Sequence, residues 1–428
     1  MLSLGSMIDM PYEAVRSLAV ELFLSLERET SDPPGITREA FGKREQFAHD
    51  LASETARSLG LEVSHDVAGN QYMTWLGRDR AKPRTFVGSH MDTVRHGGNF
   101  DGAAGVIMGL CAIHGLKDVG FTPDADLVVM AIRAEELVWF PTPYAGSRMA
   151  FGLLPSSEYD EIRRSDTDRS LASHMLEAGF DPDALKAGAR PLDPKTIGLY
   201  IEPHIEQGPV LIESGQPVGI VTGLRGNMRY PHCRVHGAYS HAGAVPREYR
   251  KDAVFAAVEF ASALEALWDR HERSGTDFVA TIGQLQTDPV HHGMTKISGE
   301  VRFTMDFRSL DEAVLMEADR QLRDDAQRIS RARCVTIELG EFRKAEPALM
   351  NDQLIKELQG AAADIGVDAR LMPSGAGHDC ATFAWQGVPS AMIFIRNDKG
   401  SHNPDEAMEL DDFWAATETL VAFLKRVA

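Results

Sequence analysis

The sequence predicts an α/β fold in two parts: a larger domain built from segments 1–215 and 343–428, and a smaller domain inserted at 216–342. Three observations carry this. The chain has 428 residues, beyond the size at which a single core usually stops growing. Both ends alternate short, continuous apolar runs with helical patterns, the mark of a sheet covered on both faces. The middle has a different rhythm, β-α-β-β-α-β, which is the ferredoxin-like order and can stand as its own domain.

In chain order, residues 12–28 place Val15, Leu18, Leu22 and Leu26 at helical spacing. Residues 37–59 predict a second helix with Thr37 as its N-cap. Leu61–Val63 and Gln71–Leu76 predict paired strands around the turn Ala68-Gly69-Asn70. Arg84–Ser89 and Asp126–Ile132 predict central strands, with a helix at Gly105–Leu116 between them. In the middle section, strands are predicted at Arg229–Val235, Thr276–Leu285, Gly299–Arg308 and Cys334–Leu339, with helices at Lys251–His271 and Asp311–Arg331. Helix–strand alternation then returns with Gln353–Ile365, Ser390–Ile395 and Asp411–Val427.

Composition narrows the function. The net charge of −19 argues against a nucleic-acid partner or an anionic membrane. No apolar run approaches a membrane span, and MLSLGSMIDMPYEAVRS lacks the pattern of a signal peptide. Cys111, Cys233, Cys334 and Cys380 form no CxxC pair, so a reduced, cytoplasmic chain is expected.

Six blocks carry chemistry. The first is Val87-Gly-Ser-His90-Met-Asp92, followed by Gly97-Gly-Asn-Phe-Asp101-Gly. His90 follows a predicted strand, where ligands gather in open α/β sheets. Asp92 is placed to hold the other ring N–H of His90, and Asp101, in a glycine-rich loop, to bridge two metals. A bare HxD pair reads more often as a tight polar turn with one capped helix, and the Gly-Gly-x-x-Asp-Gly context shifts the balance toward a metal site. The second block is Ala134-Glu135-Glu136 at a strand end. Adjacent acids there resist burial unless a metal resolves the repulsion, one ligating and the other acting as base; otherwise they are exposed loop acids. The remaining blocks are Glu202-Pro-His204-Ile-Glu206-Gln207-Gly208, Gly237-Ala-Tyr-Ser-His241-Ala-Gly243, Pro373-Ser-Gly375-Ala376-Gly377-His378-Asp379 and Gly400-Ser401-His402-Asn-Pro-Asp-Glu406.

Singly these blocks are weak, but in this order the chain resembles the hydantoinase/carbamoylase branch of the M20-type metallopeptidase superfamily, from about residue 15 to the end. The branch includes N-carbamoyl-L-amino-acid hydrolases, β-ureidopropionases and allantoate amidohydrolases. The resemblance implies a metallopeptidase-like catalytic domain with a ferredoxin-like lid that forms a homodimer. It implies two divalent ions per subunit, Zn²⁺ first, with Mn²⁺, Co²⁺ or Ni²⁺ as alternatives. His90, Asp101 and His204 match the ligands of one ion, and Asp101, Glu136 and His402 those of the other. Glu135 matches the general base. His241 matches the oxyanion-stabilising residue, reaching from the partner subunit. Arg308 matches the grip on the substrate carboxylate; Gln207 and Gly375, Ala376 and Gly377 match substrate contacts. The implied reaction is hydrolysis of a C–N bond in a small N-carbamoyl- or N-acyl-amino-acid-like substrate.

The chain departs from its branch at three places. Leu137-Val138-Trp139 replaces Gly-Ser-Arg after the paired acids, Arg247 replaces Met, and the second Asn of a substrate-binding segment falls on Thr295, behind His291 and His292. These departures predict a substrate outside the standard set, with Trp139 meeting an aromatic or larger group. The alternatives are a dipeptidase or aminoacylase of the same superfamily and a non-catalytic binding protein on this scaffold. A serine amidase lacks its Gly-x-Ser-x-Gly elbow here, and a dinucleotide fold lacks its GxGxxG.

Overall fold

The computed structural model describes residues 12–428; most of the N-terminal stretch read above for a leader lies outside them. They divide into two compact units: residues up to Thr222 together with Leu349–Ala428, and Gly223–Ala348. These boundaries fall later than the predicted 216 and 343. The first shifts because strand Val218–Leu224 continues the larger sheet, pairing antiparallel with Ser390–Ile395, and the second because Arg343–Ala345 pairs with residues 227–229 of the smaller unit.

The larger unit is a mixed sheet flanked by helices. From the strand Val218–Leu224 its order runs Ser390–Ile395, Ile197–Ile205, Arg84–His90, Leu127–Ile132, Gln71–Trp75, Glu62–His65. The four strands from Ser390–Ile395 to Leu127–Ile132 are mutually parallel. Leu127–Ile132 (LVVMAI) is buried at every position, as a strand covered on both faces should be. The helix Ala103–Asp118 packs on strands Arg84–His90 and Ile197–Ile205 and is apolar on nearly every side. Residues 137–196, for which periodicity gave no elements, form short helices that close a separate cluster around Phe140, Met149, Tyr159 and Leu171.

One predicted helix start is corrected. The second helix runs Lys43–Ser58, and its N-cap is Gly42, not Thr37. Residue 36 bridges instead to Gly97, and the Thr37 hydroxyl accepts the His96 N–H at 3.0 Å. Tertiary pairing has claimed the residue that local propensity offered as a cap.

The second unit has the succession strand Gly226–His236, helix Ala253–Arg273, strands Val279–Thr287 and Glu300–Ser309, helix Glu312–Arg333 and strand Thr336–Glu338. Numbered one to four in chain order, its antiparallel strands lie 2-3-1-4. Val301, Phe303, Met305 and Phe307 alternate inward. They meet Phe260 and Leu264 from one helix and Leu315, Leu322 and Ile329 from the other. Asp252 and Asp311 cap the two helices through their side chains.

Candidate metal centre and active site

The carboxyl ends of the parallel strands converge on one cluster, as open α/β sheets lead one to expect. His90 closes its strand, and its Nδ1 lies 3.0 Å from the carbonyl oxygen of Asp92. His204 is one residue from the end of Ile197–Ile205, with Nδ1 2.9 Å from the carbonyl oxygen of Ile205. Each carbonyl holds a proton on Nδ1, so that a neutral ring presents Nε2 as an acceptor. The two Nε2 atoms face one another at 3.4 Å. Asp101 stands between the groups: Oδ1 is 3.2 Å from His204 Nε2 and 3.5 Å from His90 Nε2, and Oδ2 is 3.4 Å from His402 Nε2. His402 Nε2 is also 3.5 Å from Glu136 Oε1. The ligand atoms of His90, Asp101 and His204 thus lie within 4.8 Å of one another, as do those of Asp101, Glu136 and His402. Gly102 makes this approach possible. Its φ is +67°, and a Cβ there would stand 2.5 Å from the His90 ring.

The paired acids follow strand Leu127–Ile132 through Ala134, which is held at φ +52°. Their backbone is pinned from several sides. The Asp92 carboxylate accepts the N–H groups of Glu135 (3.0 Å) and Glu136 (3.1 Å). Tyr144 N–H donates to the Glu135 carbonyl at 3.3 Å. The buried Glu45 accepts the Ala134 N–H and pairs with the buried Arg133 at 2.9 Å. Asp92 was expected to hold the other ring nitrogen of His90, and it lies against Nδ1 with both its carbonyl oxygen, at 3.0 Å, and its carboxylate Oδ1, at 3.5 Å, while the carboxylate also engages the two amides.

The electrostatics fit a polyvalent cation. Two Nε2 lone pairs cannot face each other without a proton or a cation between them. The buried oxygens Asp101 Oδ1 and Glu136 Oε1 have no hydrogen-bond partner, which is costly unless something positive meets them. Burial, with Asp101 alongside, pushes Glu136 up to about 8. Burial, with Glu136, Asp379 and Asp92 nearby, holds Glu135 well above the usual range despite His90. Burial also disfavours charge on Asp101, but His204, His402 and His90 outweigh it and hold its carboxyl well below that range. Protons and a cation therefore compete for this cluster.

Gln207, predicted to contact substrate, sits at φ +64° and donates from Nε2 to Asp101 Oδ2 at 2.8 Å. In the loop Gly375–Gly377, the Ser374 hydroxyl accepts the Ala376 N–H at 3.1 Å, and a Cβ on Gly377 would collide with the Tyr144 hydroxyl. His241, Thr295 and Arg308 belong to the second unit. There Thr295 O accepts the N–H of Ala242, and Arg308 Nε donates to Asp306 at 2.8 Å. The exposed His241 accepts the N–H groups of Gly243 and Ala244 on Nδ1, both at 3.1 Å, so its proton lies on Nε2. Arg247 is exposed, and His291 pairs with Asp288 on an exposed loop.

Trp139, expected to meet an aromatic or larger substrate group, is packed in a core. It is 2% exposed within the cluster around Phe140, and its Nε1 donates to the Thr93 carbonyl at 2.6 Å. Arg95 and Arg164 lie against the indole. Trp139→Phe is therefore expected to lower stability by about 1–3 kcal/mol, through a lost hydrogen bond and lost volume. Relative kcat/KM across substrates should stay the same, and a changed ranking in a substrate panel would contradict the packing assignment.

Several residues at the site carried no role in the sequence. Glu406 accepts the N–H groups of Phe100 (2.9 Å) and Asp101 (3.2 Å), and Ser401 Oγ lies 2.5 Å from Glu406 and 2.6 Å from Asp101. The only sequence signal was an acid four residues past His402. Glu202, beneath His204, accepts the Cys380 N–H at 2.6 Å and the Ser89 hydroxyl at 3.2 Å. The His378 ring lies 4.3 Å from that of His204. Asp379 accepts the Ser147 hydroxyl at 2.5 Å, while its Oδ2 is buried without a hydrogen bond.

Residues 86–426 match Peptidase family M20/M25/M40. An N-carbamoyl-L-amino acid amidohydrolase of Geobacillus stearothermophilus is 35% identical over 387 residues, 90% of this chain and 92% of that one. An allantoate amidohydrolase of Escherichia coli (strain K12) is 33% identical over 409 residues, 93% of this chain and 94% of that one. The crystal structure of an amidase of the hydantoinase/carbamoylase family from Burkholderia multivorans superposes with a TM-score of 0.87 at 28% identity, covering 96% of this chain and 97% of that one. The chain belongs to peptidase family M20/M25/M40.

Proposed function

We propose that this protein is a metal-dependent amidohydrolase that cleaves the amide or ureido C–N bond of a small, carboxylate-bearing N-carbamoyl- or N-acyl-amino-acid-like substrate. The observation that carries the reading is the pair of facing Nε2 atoms beside two buried, unpartnered carboxylate oxygens. His90, Asp101 and His204 would hold one divalent ion and Asp101, Glu136 and His402 a second, with Asp101 shared. Nitrogen and oxygen donors without thiolate suit Zn²⁺, and also Mn²⁺, Co²⁺ or Ni²⁺. When bound, such ions lower the pKa of water and polarise the scissile carbonyl. Glu135, its backbone fixed by Asp92 and Tyr144, takes a proton from water and returns it to the leaving nitrogen. His241 offers an Nε2–H to developing negative charge, and Arg308 pairs with the substrate carboxylate. Gln207 orients Asp101, and the glycine loop Gly375–Gly377 lets substrate approach backbone closely. In this reading residues 216–342 act as a lid and dimerisation domain, and the enzyme works in the cytoplasm as a homodimer.

Hydrolysis of ureido, N-acyl and dipeptide substrates by metal-reconstituted protein tests this. Ammonia release from an N-carbamoyl or other ureido substrate is expected. Turnover of dipeptides alone would move the protein to the peptidases. Chelation should abolish turnover and lower Tm by several degrees, since an ion at about a hundredfold its Kd contributes about 2.7 kcal/mol. Added Zn²⁺ or Mn²⁺ should restore both, and full activity after exhaustive chelation would refute the metal reading.

A further inference from the structure

Beneath the acidic cluster lies a wholly buried cation that the mechanism above does not use. Arg38 is 0% exposed. Its Nε donates to the Met91 carbonyl at 2.7 Å. Nη1 donates to Asn99 Oδ1 at 3.3 Å, and Nη2 lies 3.4 Å from the carbonyl oxygens of both Asn99 and Asp101. Its backbone is tied to the same segment. Arg38 N–H donates to Thr93 Oγ1 at 2.8 Å, and Thr93 N–H returns a bond to the Arg38 carbonyl at 3.0 Å. One planar fork thus spans residues 91–93, which carry Asp92, and residues 99–101, which carry Asp101.

We propose that Arg38 is a positioning residue for the metal centre: its guanidinium locks the two loops that present His90, Asp92 and Asp101, and so presets the ligands before an ion arrives. The proposal rests on the metal-centre reading above. Its particular feature is that Arg38 spends its hydrogen bonds on carbonyls and one amide oxygen. None goes to a carboxylate oxygen, so Asp101 Oδ1 stays available. The charges of Glu406, Asp101, Asp92 and Glu136 all favour the charged guanidinium, and although burial lowers its pKa to about 10 it stays charged at neutral pH. Two effects then oppose each other. A nearby positive charge repels a divalent ion, whereas a held loop spares the ion the cost of ordering its ligands. Removing the fork would strand the Met91 and Asn99 carbonyls and Asn99 Oδ1 in the interior, while the Asp101 carbonyl keeps the Ala103 N–H, and the loop must move to satisfy the stranded oxygens. Preorganisation is therefore expected to win. Lysine cannot substitute, because an ammonium is a point donor and cannot reach all four acceptors at once.

The test compares wild type, Arg38→Lys, Arg38→Met, Asn99→Ala and Asp101→Asn in the full chain. Zn²⁺ affinity is read by competition with a chromophoric chelator, and Tm with and without Zn²⁺. Both Arg38 variants should bind Zn²⁺ at least tenfold more weakly, and the Zn²⁺-induced rise in Tm should shrink. Asn99→Ala, which removes one acceptor of the fork, should lose less, and it decides the matter if both Arg38 variants fail to fold. A purely structural role would lower both Tm values equally and leave affinity unchanged. That result overturns the proposal, as does tighter binding in Arg38→Met, or full affinity in Arg38→Lys beside a loss in Arg38→Met, which would show that a buried cation suffices without the fork. Wild type that takes up no Zn²⁺, or takes up no more than Asp101→Asn, would instead sink the metal-centre reading and this proposal with it.

Discussion

Glu135→Gln is expected to keep the fold and the metal uptake while lowering kcat by about 10²–10⁴-fold. The backbone at this position does not depend on the side chain. Asp92 receives the Glu135 N–H, Tyr144 donates to the Glu135 carbonyl, and Ala134 sets the turn. The substitution also removes one of several neighbouring negative charges, since Glu136, Asp379 and Asp92 all act on Glu135. Stability should therefore hold or rise slightly. What glutamine cannot do is accept a proton from water and release it to nitrogen. Glu136→Gln is the informative contrast. It should weaken metal binding as well as turnover, because Glu136 Oε1 is a buried oxygen beside His402 and Asp101. Steady-state kinetics with metal analysis on both variants separates the roles. If Glu135→Gln keeps more than about half of wild-type kcat, Glu135 is not the base.

How far the sequence could be read depended on whether a contact was local or distant. The central strands were legible because Leu127–Ile132 is a continuous apolar run, and such runs have few other uses. The alternation at Val301, Phe303, Met305 and Phe307 made the second unit's core equally plain. The cluster at His90, Asp101, Glu136, His204 and His402 was legible only through the family resemblance that the order of these short blocks carries, since each block alone is weak. The supporting residues could not be found this way. Glu406 acts on Asp101 across 305 positions of chain and Arg38 acts across 63. Neither has a local pattern that announces its partner. Trp139 misled because an aromatic beside two functional acids reads as a contact for ligand, when the indole serves the cluster that closes residues 137–196. Thr37 misled in the opposite way. Its local reading as a cap was sound, but a bridge from residue 36 to Gly97 took precedence.

Gly105→Ala is expected to cost about 3 kcal/mol of stability and to impair metal binding with it, although a glycine-to-alanine change inside a helix is ordinarily favourable by about 1 kcal/mol. Gly105 lies in the first turn of Ala103–Asp118, where that helix crosses the strands bearing His90 and His204. A Cβ there would fall inside contact with the Pro203 carbonyl oxygen and 2.7 Å from Ser89 Cβ. The carbonyl is backbone in a buried parallel strand and cannot rotate aside, so the helix must lift. Asp101 and Gly102 lead directly into the helix, and Pro203 and Ser89 adjoin His204 and His90, so the lift separates the ligands. Gly109 tests the argument one turn later. Its Cβ would meet Val129 methyl groups at 3.0 Å, and a side chain can yield by tenths of an ångström. Gly109→Ala should therefore cost less than about 1 kcal/mol, with helix propensity offsetting the crowding. Urea unfolding of both variants, with Zn²⁺ titration of the folded protein, measures the ordering. Equal stabilities for the two would mean that the close approach at Pro203 does not set the seat of this helix.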